Sequence, residues 1–199
     1  MSKDAFWALI QEAKTACGQD LNAMEDYLRE QLVSMGPAAA KNFHDILQTY
    51  EDLADQYGLW DAVSVIKEYG CSDDGFIDFR AQGKEVYMNA LRDPDTLADI
   101  EPYGDCCFEC LSYVGDYAYE HLTGRSAYDE MEPDRIEKLR DELKKDIVYK
   151  DGIQYPREPK DLPRFLPRLC EKYGGPERFQ VTPSTWNFDL HEIRRLLDE

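Results

Sequence analysis

Basic residues are scarce in this chain: 23 Lys and Arg stand against 41 Asp and Glu, a formal net charge of −18. The shortage is local. Residues 1–130 hold 9 basic against 26 acidic side chains, whereas residues 131–199 hold 14 against 15. Affinity for nucleic acid comes largely from Lys and Arg displacing counterions from phosphates, so DNA, RNA and anionic membrane surfaces are excluded as partners on charge. A basic protein is the partner class that such a surface suits, although solubility alone would also account for it.

Long apolar runs are missing as well. No stretch approaches the roughly 20 apolar residues that a membrane-spanning helix needs. Asp4, Gln11 and Glu12 interrupt the segment where a signal peptide would carry its apolar core,. The expected location is the cytoplasm, where the 6 cysteines read as reduced thiols,. Cys107 and Cys110 form a CxxC, but no second pair stands at metal-finger spacing,. They are weak metal candidates, and small apolar residues in a packed helix are the simpler reading. His44, His121 and His191 lie far apart and none sits in an HExxH pattern,. Glycine-rich phosphate loops and GxSxG elbows are absent too. No cofactor is expected.

Against these absences stand 13 Tyr, 8 Phe and 3 Trp within a 43% apolar composition, too much for a disordered chain,. A chain of 199 residues can bury about 70% of its unfolded surface without staples,. The apolar residues recur at helical spacing. Phe6, Trp7, Ile10 and Ala13 form one stripe. Leu21, Met24, Leu28 and Leu32 form the next, behind an Asp20 cap,. Gly36-Pro37 opens a third helix through Phe43, Leu47, Tyr50, Leu53 and Tyr57, with Gly58 as its stop,. Leu59 to Tyr69 follows, with Trp60, Val63 and Ile66 inward. A helix starting at Asp73 or Asp74 runs through Phe79, Val86, Tyr87 and Leu91, and Asp93-Pro94 restarts the pattern. Residues 105–122 and 133–148 complete the helical set, the last with Ile136, Leu139, Leu143 and Ile147 inward.

Character changes near residue 149. Pro156, Pro159, Pro163 and Pro167 imply an extended connection, with a short hairpin at Asp151-Gly152, a short helix at 166–173 and a terminal one at 188–197,. The expected fold class is all-α: a multi-helix bundle over residues 1–148 with a Pro-rich, partly irregular C-terminal extension over 149–199 packed on it.

The stretch GCSDDGFIDFR at residues 70–80 raises the question of a site. Asp73-Asp74-Gly75 fails the calcium-loop template, because the acids are adjacent rather than alternating. A helix start is the plainer reading: side-chain oxygens satisfy the first N–H groups, and carboxylates suit the positive end of the helix dipole. Arg80 is the residue that this leaves unexplained, and it is expected to pair with a carboxylate.

An ordered set of short motifs carries a resemblance. Phe6-Trp7 with Ile10, Leu59-Trp60-Asp61-Ala62, Ser72-Asp73-Asp74-Gly75-Phe76, Phe79-Arg80, Gly83-Lys84-Glu85-Val86-Tyr87, Ala90-Leu91 and Asp93-Pro94-Asp95-Thr96-Leu97-Ala98 together resemble the bacterial domain-of-unknown-function family 4240, over residues 4–125. The resemblance implies a soluble, mostly helical bacterial protein and brings no established activity. After Phe79-Arg80 the chain is about four residues shorter than the family pattern, roughly one helical turn. Such a loss turns the downstream face little and makes Gly83 a candidate break.

Two functions are weighed. The first is an acidic helical protein-binding or regulatory module, with binding residues expected among Trp60, Asp73, Asp74, Asp78, Arg80, Lys84 and Tyr87. The second is a metal-assisted hydrolase or phosphoryl-transfer enzyme that uses Asp73, Asp74 and Asp78 with Arg80 or Lys84.

Overall fold

A computed structural model describes residues 1–67, 77–103 and 108–174, the side chains of 77 and 78 excepted. The fold is all-α. Its helices are α1 (Lys3–Cys17), α2 (Leu21–Met35), α3 (Pro37–Ala54), α4 (Tyr57–Ile66), α5 (Ile77–Ala81), α6 (Lys84–Arg92), α7 (Cys110–Thr123), α8 (Pro133–Lys144), α9 (Leu162–Phe165) and α10 (Pro167–Tyr173). Single 3-10 turns lie at Pro94–Asp99, Tyr128–Glu130 and Pro159–Asp161.

Local chemistry sets most boundaries. Ser2 and Asp20 cap α1 and α2 by accepting from Ala5 N at 3.2 Å and Ala23 N at 3.0 Å,. One residue, Gly36 at φ 91°, separates α2 from α3, and Pro37 starts the latter,. Asp93 accepts from Asp95 N at 3.2 Å, so Asp93-Pro94 starts a helix as the sequence implies, but of the tighter 3-10 kind,.

Four expectations need correction. Gly58 is no helix stop: α3 ends at Ala54, and Gly58 lies inside α4. A Cβ there would sit 2.8 Å from Ile153 Cγ1 and 3.0 Å from the Phe165 ring, so glycine is required by close packing, not by turning,. Trp60 and Tyr57 do not point inward; they are 42% and 49% exposed. The helix expected through Tyr87 is two helices, α5 and α6, broken at Gly83 with φ 106°. The segment around Asp151-Gly152 forms a turn, and there is no strand among the described residues. The long aromatic helix begins at Cys110 and ends, as expected, at Gly124, in the left-handed conformation,. Residues 68–76, 104–107 and 175–199, with the helix starts expected at Asp73 and the helix expected at 188–197, lie outside the described residues.

The core is organised on α3, which packs against α1, α2, α7 and α8. Rings from three helices, α1, α3 and α6, meet there. Phe6 lies 4.9 Å from Phe43, Trp7 is 5.0 Å from Tyr50, and Tyr87 is 5.1 Å from Tyr50, centroid to centroid. Polar tips are satisfied within the cluster: Trp7 Nε1 donates to Tyr50 OH at 3.1 Å, and Tyr87 OH donates to Tyr50 O at 2.7 Å,. Burial pushes the Tyr50 hydroxyl up to about 12,. Full burial of Tyr87 raises its hydroxyl well above the ordinary range.

Helix α8 attaches differently. Only Leu143 of its residues is fully buried, so the inward stripe expected from Ile136 and Leu139 is half-exposed. Ion pairs supply the rest: Arg135 reaches the buried Asp45, and Arg140 reaches Asp52.

Residues 149–174 lie across α4, α6 and the Pro94–Asp99 turn. Their own Ile153, Leu162, Leu166, Leu169 and Cys170 are buried. Main-chain and side-chain bonds fix the path: Lys150 N to Leu91 O at 3.0 Å, Gly58 N to Ile153 O at 2.7 Å, and Tyr149 OH to Leu53 O at 2.9 Å.

Candidate functional site

Of the residues that the sequence singles out, Trp60, Arg80, Lys84, Tyr87 and Cys110 fall within the described residues, and their settings differ. Arg80 is 2% exposed, and its Nη1 lies 3.5 Å from Glu51 Oε2 on α3. Glu51 in turn accepts from Ser112 Oγ on α7 at 3.3 Å. The expected pairing of Arg80 with a carboxylate is therefore present, and Glu51 supplies it. Tyr87 is fully buried in the aromatic cluster. Lys84 opens α6 at the surface, 3.8 Å from Asp4. Asp73, Asp74, the Asp78 side chain and Cys107 lie outside the described residues, while Cys110 is exposed at the start of α7.

Trp60 stands apart from these. With Asp55, Gln56, Tyr57 and Gln154 it lines a pocket of about 220 Å³ where the α3–α4 junction meets the turn at 151–155. The Tyr57 and Trp60 rings are 6.0 Å apart and inclined by 56°. Their position follows from helical spacing. Residues i and i+3 share a face, and α4 buries its other faces through Leu59, Ala62, Val63, Val65 and Ile66. Beside the pocket, Arg157 lies over the Phe165 ring, 3.2 Å from its centroid, and donates to Asp61 at 3.3 Å and Gly152 O at 2.6 Å. Burial raises the Asp61 carboxyl above its ordinary range, and the Arg157 bond opposes that without reversing it,.

A larger groove runs between α2 and α7. Its volume is about 760 Å³, and Arg29, Glu30, Val33, Tyr117, Glu120 and His121 are among the residues that line it. Tyr117 is 43% exposed. Acidic side chains outnumber basic ones on both helices: Glu25, Asp26 and Glu30 against Arg29 on α2, and Asp116 and Glu120 against no Lys or Arg on α7. Arg29 is turned onto Asp26 at 2.5 Å.

The sequence carried Trp60 but missed Tyr57, Gln154 and the groove. Tyr57 could have been found from its spacing to Trp60, had α4 been started at the right residue. Gln154 gives no local signal, and the groove depends on two helices meeting.

No helix among the described residues is long and apolar enough to cross a membrane. No curated protein and no solved structure matches the chain. A family model described as a protein of unknown function, DUF4240, matches residues 1–121, which hold α1 to α6 and most of α7. The ordered motifs between Phe6 and Ala98 thus belong to a family pattern, and the chain is a member of the DUF4240 family.

Proposed function

We propose that this protein is an acidic binding module whose α2–α7 groove receives a basic amphipathic segment of a partner protein. The observation that carries the reading is the groove itself: an opening of about 760 Å³ with Val33 and Tyr117 in it and Glu30 and Glu120 beside them. Val33 and Tyr117 suit the apolar stripe of a helix, and Glu30 and Glu120 suit its Lys and Arg, with Arg29 held on Asp26,. The charge of residues 1–130, 9 basic against 26 acidic, favours the approach of such a segment over an acidic one,.

A defined pair of probes tests it: a synthetic helix of Leu and Lys at amphipathic spacing, and its Leu and Glu counterpart, followed by fluorescence anisotropy on the full chain. The expected result is salt-sensitive binding of the Lys peptide alone, weakened at least tenfold by Tyr117→Glu. That substitution makes the surface more acidic, so general charge attraction would strengthen. Unchanged or tighter binding by Tyr117→Glu would sink the proposal, as would equal binding of the Glu peptide. Self-association through the groove would appear as a concentration-dependent mass and would replace this reading.

A further inference from the structure

We propose that the Tyr57–Trp60 pocket binds a methylated ammonium group. At about 220 Å³ it is smaller than the roughly 300–1,000 Å³ of pockets that take drug-sized ligands, so a head group fits and a large molecule does not,. Two rings, 6.0 Å apart and inclined by 56°, line this one small volume. A soft cation seated over the face of either ring is attracted by the ring quadrupole. Asp55 adds a full negative charge to the wall, and Gln56 and Gln154 add amide groups without a positive one. Arg157, the cation on this side of the extension, is committed to Asp61, Gly152 O and the Phe165 ring and does not line the pocket.

Trp60 is not among the buried residues of α4. The inward residues of α4 hold the helix without it, and a 42% exposed indole leaves apolar surface in water,. The pocket is also preformed. Gly58 N bonds Ile153 O at 2.7 Å, and the absence of a side chain at Gly58 lets the 151–155 turn close on α4. An inclined aromatic pair with a carboxylate and fixed walls selects charge and methyl groups together. A sugar would use the rings and amides and be indifferent to the carboxylate's charge. This inference does not rest on the groove: the two sites share no residue.

The test uses the full chain at constant ionic strength. Choline, a trimethyllysine peptide, its unmethylated form and the uncharged choline isostere with carbon in place of nitrogen are titrated in turn, and ligand methyl protons are followed by NMR. Saturable binding of choline or of the trimethyllysine peptide is expected, with Trp60→Leu weakening it roughly 3- to 30-fold. Asp55→Asn, at an exposed position, should weaken it severalfold and lower its salt dependence. Tighter binding of choline assigns a free small molecule as the ligand, and tighter binding of the peptide assigns a modified side chain. No saturable binding of either overturns the proposal. So does equal binding of the uncharged isostere, an unaltered affinity in Asp55→Asn, or saturable binding of a neutral saccharide alone.

Discussion

Asp95 caps α10 across a long stretch of sequence: its Oδ1 accepts from Leu169 N at 3.0 Å and its Oδ2 from Arg168 N at 3.1 Å, donors that lie 74 and 73 positions further along the chain. Asp95 is 4% exposed, and Pro167, which has no N–H to offer, starts the helix it caps. The first free N–H groups of α10 are thus satisfied by a residue of the Pro94–Asp99 turn, and the extension is latched to the family region at one carboxylate. Asp95→Ala leaves one buried and one part-buried donor without an acceptor and should cost about 2–3 kcal/mol,. Asp95→Asn keeps one acceptor and should cost about half of that. Urea denaturation measures the loss, and limited proteolysis should show earlier cleavage within 149–174 in Asp95→Ala. Equal stability of Asp95→Ala and the wild type would show that the latch carries no energy.

At Gly115, α7 lies close against the backbone of α3. A Cβ there would stand 2.8 Å from both the backbone N and the Cβ of His44. Neither can retreat as a flexible side-chain tip would, so Gly115→Ala must separate the helices. It should destabilise by about 1–3 kcal/mol, as overpacking does. Gly124→Ala provides the contrast: its Cβ would meet nothing, but its backbone is left-handed at φ 72°. That substitution should cost about 1 kcal/mol from backbone strain alone. Thermal unfolding of both variants checks the order.

Asp45 has no exposure, yet its partners Lys41 and Arg135 keep theirs, at 17% and 38% of their side chains. The consequence is an asymmetry. Arg135→Ala removes the partner and leaves a buried carboxylate dependent on Lys41 at 3.3 Å. Asp45→Asn removes the charge that needed a partner. Arg135→Ala should therefore cost more, about 2–3 kcal/mol against about 1 kcal/mol. Equal costs, by chemical denaturation of the two variants at one pH, would mean that Arg135 acts through packing over α3 and not through charge.

Legibility in the sequence followed the range of the interaction. Asp20, Gly36-Pro37, Asp93-Pro94 and Gly124 mark helix ends through bonds to residues a few positions away, and all four could be read. Gly58 could not. A glycine is demanded equally by a left-handed stop and by a close approach, and the approaching atoms belong to Ile153 and Phe165. Reading Gly58 as a stop put Tyr57 on α3 and turned Trp60 inward, which hid the pocket. The apolar residues of α4 crowd most of its circumference, so periodicity alone could not say which face was left for solvent,. Arg80 was legible as a residue that needs a carboxylate. Its partner, Glu51, lies on another helix with no sequence signal linking them.

His44 is fully buried on α3, with no hydrogen-bond partner for either ring nitrogen and the edge of its ring against Tyr128 at 4.3 Å. Burial lowers its pKa below the usual 6.5, and Lys41 adds to that; Asp45 and Asp116 oppose it,. The neutral ring is therefore the folded form. Above about pH 6.5 the folded and unfolded chains both hold it neutral, and it contributes no pH dependence. Below that value the unfolded chain takes up a proton that the folded one refuses, so stability falls as pH falls. The slope from this one group cannot exceed about 1.4 kcal/mol per pH unit. His44→Phe keeps a flat ring beside Tyr128 and removes the titration. Subtracting its unfolding free energy from that of the wild type between pH 7 and 5 should leave a difference that is flat near neutrality and turns against the wild type as acid is added. A difference that stays constant across the range would mean that His44 takes up its proton as readily in the folded chain as in the unfolded one, against the burial and orphaned nitrogens seen here,.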